Sequence, residues 1–198
     1  ETVLRYPSHF SEATRKVELE GEAYFYVTSN KNKPFVVAMC NQSQIEVHGT
    51  NFNVEAYTED NRISTTLIEG SISFSYKDEH GKTRKIDLKP HQKLIYELEG
   101  NTTRLYKVSG ETETAWKDGK IIFDNTPMVE VLRILGKRFN VEFIINKRLK
   151  VNDYAFTGTF TTQRLERILE YFKISSRIKW RYVEAESQGN KKQKIEIY

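Results

Sequence analysis

The stretch "RKVELEGEAYFYV", residues 15–27, alternates apolar and polar side chains along most of its length. Successive side chains of a β-strand point to opposite faces, so the odd-numbered apolar residues would share one face. Those residues are Val17, Leu19, Ala23, Phe25 and Val27. The pattern predicts a long strand with one buried face, in which Gly21 marks a bulge or a close backbone approach.

The same alternation recurs through the first half of the chain. "KPFVVAM", "QIEVHG", "NFNVEAY" and "GSISFSY" each carry apolar residues at alternate positions, and turn-forming stretches separate them. Short, regularly spaced strands favour an antiparallel β-sandwich or rolled barrel. "LEGEAYF" (19–25) and "IEGSISF" (68–74) share an apolar-Glu-Gly-x-x-x-Phe pattern, so we expect them at equivalent places in the roll.

The polar stretch "HGTN", residues 48–51, lies between two of these strands. It could be a catalytic loop, a ligand cradle or a simple connection. We predict a bend with Gly49 at its corner, where Thr50 and the Asn side chains satisfy backbone groups.

The pattern changes to helical periodicity after a polar stretch at 109–115, which we interpret as a linker. In "TPMVEVLRILGKRFN" (126–140), Thr126 would cap a helix and Pro127 would take its first position. The inward stripe of this helix would be Met128, Leu132, Leu135 and Phe139. Val129 and Ile134 fall outside that stripe, so we expect the helix to be covered on more than one side.

A second helix, "TQRLERILEYF" (162–172), would turn Leu165, Ile168, Leu169 and Phe172 inward. Two strands close the chain around "SQGNKK" (187–192), a predicted hairpin loop. The predicted fold class is therefore mainly β plus α+β. A β-sandwich or rolled barrel over 1–112 precedes a small β-α-β-β-α-β-β domain over 113–198.

Catalytic chemistry finds no support in the sequence. The four His residues have no metal-ligand spacing, no serine lies in a nucleophile motif, and Cys40 is the only cysteine, expected as a small core residue. We therefore predict no enzyme, no catalytic residues, no metal site and no cofactor. Trp116 and Trp180 leave a carbohydrate-binding module or a polysaccharide-related enzyme of the cell envelope as the alternative, although such aromatics commonly fill cores.

The net charge of +4 is uneven. Residues 1–112 carry 14 Lys and Arg against 16 Asp and Glu, whereas residues 113–198 carry 17 against 11, a balance of +6. The basic half lacks an RNA-binding aromatic motif and a helix-turn-helix, so no nucleic-acid partner is predicted.

Seen as a whole, the sequence resembles the periplasmic region of FecR-type anti-sigma regulators. "VELEGEAYFYV", "KPFVVAM", "VHGTNFNVEAY" and "TTLIEGSISFS" are similar to successive strands of that family. "LKPHQKLIY" (88–96) resembles its next segment, where the family usually has Gly in place of His91. "WKDGKIIFDNTPMVEVLRILGKRFNVEFII" and "YAFTGTFTTQRLERILEYF" resemble its C-terminal domain, which is similar to the secretin/TonB short N-terminal signalling domain.

The resemblance implies a signal relay. The full-length protein would be anchored in the inner membrane by a transmembrane helix absent from this chain. A cytoplasmic segment, also absent, would bind an extracytoplasmic-function sigma factor. The periplasmic part would receive its signal from the signalling domain of a TonB-dependent outer-membrane transducer. The family's preceding N-terminal strand is also expected to be missing, which would leave an open edge in the first sheet.

We expect the partner to bind the C-terminal domain. At 100° per residue, Arg164, Arg167 and Tyr171 fall together on the outward side of the second helix. Arg and Tyr are enriched in protein interfaces, although Tyr171 could instead lie over its own neighbours. A second possible route is strand addition at a sheet edge, for example at the final "KIEIY" (194–198).

Overall fold

The computed structural model describes residues 2–183 and 192–198. It divides into two compact units, Glu1–Thr114 and Ala115–Tyr198. The prediction that residues 1–112 and 113–198 fold as two independent domains remains a proposal. No helix among the described residues is long and apolar enough to span a membrane.

The described residues of the first unit form ten strands, one short α-helix and a 3-10 turn at Glu99–Asn101. Its elements are β1 (Val3–Arg5), β2 (Arg15–Val27), β3 (Phe35–Ala38), β4 (Gln44–Val47), β5 (Thr50–Ala56), β6 (Arg62–Glu69), β7 (Ile72–Lys77), β8 (Thr83–Leu88), β9 (Gln92–Glu97), β10 (Thr102–Lys107) and α1 (Glu111–Thr114). The strands form one curled sheet in the order β10-β9-β6-β5-β2-β3-β4-β7-β8, and β1 also pairs with β2. All neighbouring strands are antiparallel except β2 and β3, so the predicted rolled, antiparallel-rich fold class is confirmed.

The repeated Glu-Gly pattern marks the places where the chain crosses between the two halves of this sheet. Residues 15–18 of β2 pair with β3, whereas residues 21–27 pair with β5. Gly70 lies between β6 and β7 along the chain. In the sheet, β6 neighbours β5, whereas β7 neighbours β4. Gly21 has a φ of 107° and Gly70 a φ of 94°, backbone conformations that favour glycine. The two segments therefore occupy equivalent places, as expected.

The core of the first unit is built from the inward faces of the strands. The Phe25 and Phe52 rings are stacked 5.2 Å apart, and the Phe74 and Tyr96 rings meet edge to face at 5.6 Å. The buried Tyr96 hydroxyl donates to Asn101 Oδ1 and accepts from Asn41 Nδ2, so its polar atom is satisfied. Cys40 packs against this core while partly exposed, and burial raises the pKa of its thiol.

The "HGTN" stretch is a tight connection between β4 and β5. A Cβ on Gly49 would lie 2.6 Å from the Ser29 Cα, so the position requires glycine. The Thr50 hydroxyl donates to the Ser71 carbonyl at 3.0 Å, as predicted. For Asn51 the prediction is wrong, because its side-chain amide donates to the Glu69 carboxylate at 2.9 Å. The Asn53 amide donates to the Glu22 carboxylate at 2.9 Å.

The described residues of the second unit form two α-helices and five strands. They are β11 (Ile121–Pro127), α2 (Met128–Phe139), β12 (Val141–Ile145), β13 (Ala155–Phe160), α3 (Leu165–Ser176), β14 (Trp180–Val183) and β15 (Gln193–Ile197). This is the predicted β-α-β-β-α-β-β order. β11 pairs with β13, and a separate three-stranded sheet has the order β12-β15-β14. The predicted loop at 187–192 lies outside the described residues except for Lys192.

Helix α2 differs from its prediction at its start and on one side. Pro127 is the residue before the helix, and the Thr126 hydroxyl accepts the Asp124 N–H at 3.1 Å instead of capping. Val131 joins the buried stripe, whereas Val129 is 43% exposed, so that side of the helix is uncovered.

The predicted linker is structured rather than extended. Residues 111–114 form helix α1, and Ala115 is buried. Because its side chains are small or polar, the stretch lacks the apolar stripe from which a helix is normally recognised.

Candidate partner-binding surface

Helix α3 has a clear inner and outer side. Leu165, Ile168, Leu169 and Phe172 are all buried, which confirms the predicted inward stripe. The ring of Phe172 meets that of Phe156 edge to face at 4.7 Å, and this contact fixes the rotation of the helix against β13. The orientation of the outer side therefore follows from the packing of the inner one.

Arg167 and Tyr171 form a contact on the outer side. The Arg167 guanidinium carbon lies 5.0 Å from the centre of the Tyr171 ring, within cation–π range. Tyr171 is 37% exposed, and its ring centre lies 6.0 Å from that of the buried Phe160. The ring thus rests on its own neighbours and still offers a face to solvent.

Ile174 extends this surface by one turn. It is 76% exposed and follows Tyr171 at a spacing of three residues. The sequence prediction did not include it, although an apolar residue three positions beyond Tyr171 was a visible signal. Arg167, Tyr171 and Ile174 thus form a continuous stripe, which we call the α3 outer stripe.

Arg164 does not lie on the helix itself. It is the residue before α3 and has extended backbone angles, φ −71° and ψ 156°, so the 100° spacing used in the prediction does not apply to it. Its carbonyl accepts the backbone N–H groups of Arg167 and Ile168. The structure places Arg164 at the start of the stripe, with its charge close enough to act on Glu166.

A hydrogen bond ties the beginning of α3 to β14. The Tyr182 hydroxyl donates to the Glu166 carboxylate at 2.6 Å. This bond is the main reason why the pKa of Glu166 is lowered and that of Tyr182 is raised to about 12. Glu166 therefore brings a negative charge beside the two arginines, and the surface is of mixed charge near its N-terminal end.

The proposed strand-addition site at "KIEIY" is wrong. β15 lies in the centre of its sheet, parallel to β12 on one side and antiparallel to β14 on the other. Both of its edges are therefore occupied. Alternating side chains identify a strand but carry no information on its neighbours, and this is why the sequence could not exclude the site.

Two surface clefts bear on the carbohydrate alternative. One of about 370 Å³ is polar, and it is lined by Asn41, Gln42, Lys77, Asp78, Glu79, Gly81 and Asn101. The other, of about 300 Å³, lies between α2 and β12. Trp116 and Trp180 line neither, and Trp180 packs against the core of the second unit. Among the described residues, no group of three His, Cys, Asp or Glu side chains is placed to hold a metal ion.

Comparison with known families identifies the class of protein. The family model described as FecR protein matches residues 1–73, and the model described as FecR, C-terminal matches residues 120–188. The first match covers the β strands up to β7, and the second covers most of the α+β unit. The chain belongs to the FecR family, a family of regulators.

Solved structures resemble the chain over its whole length. Two crystal structures of a protein from Parabacteroides distasonis ATCC 8503, assigned as an anti-sigma factor, are 28% and 29% identical to it. Their TM-scores are 0.80 and 0.79, and the matches cover 100% of this chain and 86% and 85% of those chains. No curated protein matches the sequence.

Proposed function

We propose that this chain is the periplasmic signal-relay part of an inner-membrane anti-sigma regulator. The observation that carries the proposal is the occurrence of both FecR domains in family order along one chain. Support comes from the Parabacteroides distasonis protein assigned as an anti-sigma factor, whose structure matches this chain over its whole length. A regulator of this kind needs surfaces for partners rather than a catalytic centre.

The proposal includes a partner on each side of the membrane. In the periplasm, the chain receives a signal from the signalling domain of a TonB-dependent outer-membrane transducer. In the cytoplasm, another segment of the full-length protein holds an extracytoplasmic-function sigma factor. A transmembrane helix, also outside this chain, joins the two compartments.

The transducer contact is proposed for Arg164 and the adjoining α3 outer stripe of Arg167, Tyr171 and Ile174. Arg and Tyr supply much of the binding energy at protein interfaces, since both combine a large apolar surface with hydrogen-bonding groups. Ile174 adds an apolar residue that is 76% exposed. The excess of positive charge in the second half would steer an acidic partner toward this unit.

The experiment measures binding between the full chain and the signalling domain of the transducer encoded beside its gene. Isothermal titration calorimetry compares the wild type with Arg164→Glu plus Arg167→Glu. We expect at least a tenfold loss of affinity, because each arginine at such a surface contributes on the order of 1 kcal/mol or more. The wild-type affinity should also fall as salt is raised.

The matched control is Lys147→Glu plus Lys150→Glu, which changes the net charge equally at exposed positions in the same unit. It should retain binding within about threefold, since it alters only long-range steering. Wild-type affinity in the arginine variant, with an unchanged circular dichroism spectrum, would remove α3 from the proposal. A wild-type chain that binds no transducer signalling domain at all would contradict the relay itself.

A further inference from the structure

Strand β10 is an unusual edge strand. It is the last strand of the large sheet and, within the described residues, pairs only with β9. Its six residues, "TTRLYK", contain no proline, and none of them is buried. Leu105 is 47% and Tyr106 43% exposed, on opposite faces of the strand. A regular edge strand with exposed apolar residues is a template for pairing with another strand.

The backbone groups available on this edge can be identified. Val108 donates its N–H to the His91 carbonyl at 3.0 Å, which continues the ladder between β10 and β9. Backbone groups point alternately to the two sides of a strand. Tyr106 and Arg104 therefore direct their backbone groups toward β9, and Thr103, Leu105 and Lys107 direct theirs outward.

The side-chain pattern of β10 complements itself. In an antiparallel pair of two β10 strands with a two-fold axis at Leu105, each Leu105 lies opposite the Leu105 of the second copy. Arg104 then lies opposite Tyr106 and Thr103 opposite Lys107, so no like charges face each other. An axis at Arg104 or Lys107 would instead bring two like charges together, which destabilises a strand pair.

We propose that β10 is a homodimerisation edge that joins two copies of this chain through antiparallel β10–β10 pairing centred on Leu105. The outward backbone groups of Thr103, Leu105 and Lys107 supply the hydrogen bonds. The two Leu105 side chains cover each other, and Arg104 reaches the ring of Tyr106 of the second copy for a cation–π contact. A two-fold axis uses the same surface twice, as in most closed dimers.

The sheet's other end, β8, differs in a way that supports this choice. Its exposed residues include the adjacent Arg84 and Lys85, and it offers no exposed large apolar residue. Adjacent positive charges with no exposed apolar residue beside them discourage pairing at an edge. The two positive residues of β10, Arg104 and Lys107, instead flank Leu105 and Tyr106. β10 places an apolar residue at the centre of its edge, between Arg104 and Tyr106.

The expected dimer is weak. A contact of one short strand on each side falls in the small class of interfaces, which belong to transient complexes. We therefore expect the full chain to move from monomer to dimer between about 10 µM and 1 mM, concentrations typical of weak contacts. Sedimentation equilibrium over this range is the first measurement, and Leu105→Asp should be monomeric throughout, because two carboxylates would face each other.

Disulfide trapping tests the register directly. In a Cys40→Ala background, Leu105→Cys places two thiols across a directly opposed pair, where the Cβ atoms lie about 4.5–5.5 Å apart and small shifts allow a bond. Ile174→Cys is the control, since Ile174 is more exposed and lies on another element. We expect at least tenfold faster cross-linking of the Leu105 variant under mild oxidation.

Two results would overturn the proposal. One is a wild-type chain that stays monomeric at 1 mM while both cysteine variants cross-link at the same rate. The other is a dimer that persists unchanged in Leu105→Asp, which would place the interface elsewhere.

Discussion

His91 occupies a backbone conformation that suits a smaller residue. Its φ is 63°, in the left-handed region, and it follows Pro90 in a turn closed by the Gln92 N–H and the Lys89 carbonyl. A side chain in this region costs about 1–2 kcal/mol, partly offset in glycine by its greater freedom when unfolded. Glycine, the residue expected here from the family resemblance, would adopt this conformation without strain.

We expect His91→Gly to raise the free energy of unfolding by about 0.5–1 kcal/mol, since the strain is relieved at moderate entropic cost. Urea denaturation measures the change. His91→Ala is the control, because alanine shortens the side chain but keeps the Cβ, and it should give no gain. A glycine variant less stable than the alanine variant would show that the His91 side chain, not its backbone, matters.

The Tyr182–Glu166 hydrogen bond gives a pH-dependent contact. It requires an ionised Glu166, whose pKa is lowered mainly by this bond, so its stabilisation is lost as pH falls through that lowered pKa. The bond also requires a protonated Tyr182, whose pKa is raised to about 12. On the alkaline side, the stabilisation is therefore complete up to about pH 10, the ordinary tyrosine pKa, and is lost as pH rises through about 12.

We expect Glu166→Gln to bring the pKa of Tyr182 down toward 10, because the carboxylate that holds its proton is gone. NMR titration of ¹³Cζ-labelled tyrosine follows this group. Glu170→Gln, one turn further along α3, should leave the titration unchanged. A wild-type Tyr182 that already titrates near pH 10 would mean that the hydrogen bond does not form in solution.

Elements of the first unit meet at glycines that allow close backbone approach. A Cβ on Gly49 would lie 2.6 Å from the Ser29 Cα, and one on Gly70 would lie 2.6 Å from the Gly49 carbonyl oxygen. The first contact packs the β4–β5 connection against the residues that follow β2. The second packs the turn between β6 and β7 against the β4–β5 connection. The backbone itself is the obstacle, so no side-chain rotation can relieve the clash.

We expect Gly49→Ala to lower the free energy of unfolding by about 2 kcal/mol or more, within the range for overpacking. Gly81→Ala is the matched control: its φ is 73°, but a Cβ there meets nothing within 4 Å. The control should cost only about 1 kcal/mol, the conformational penalty alone. Equal losses in thermal and urea unfolding would show that space is not limiting at Gly49.

The secondary structure was predictable wherever one face of an element is buried. The alternation in β2 and the inward stripe of α3 depend on burial alone, and both agree with the structure. The position of β15 between β12 and β14 was not predictable, because it depends on long-range pairing. Thr126 does not cap α2, because its hydroxyl accepts the Asp124 N–H instead. Such local hydrogen bonds between a side chain and the backbone compete with capping, and the sequence pattern of a cap does not reveal them.

The residues of the proposed partner surface were predictable only where helical periodicity applies. Arg167 and Tyr171 share a helical face, so periodicity alone predicted that they lie together. Arg164 lies one residue before α3, and helix ends are the least certain feature of such a prediction. Ile174 was missed because a single apolar residue near the end of a helix is not by itself a sign of a binding surface.

At the scale of the whole molecule, the two compact units suggest separable domains. We expect limited proteolysis to cut first within residues 109–116, where the short helix α1 ends the first unit and Ala115 begins the second. A single four-residue helix is marginal alone, so local opening should expose it before either core. First cuts inside residues 17–76 would contradict separable domains.

We propose above all that the chain receives a transducer's signal through its C-terminal unit. Hydrogen–deuterium exchange of the full chain, alone and saturated with the transducer's signalling domain, tests this most directly. We expect new protection in residues 164–176 and little change in residues 2–114. Protection confined to residues 2–114, with α3 exchanging as it does in the free chain, would contradict it.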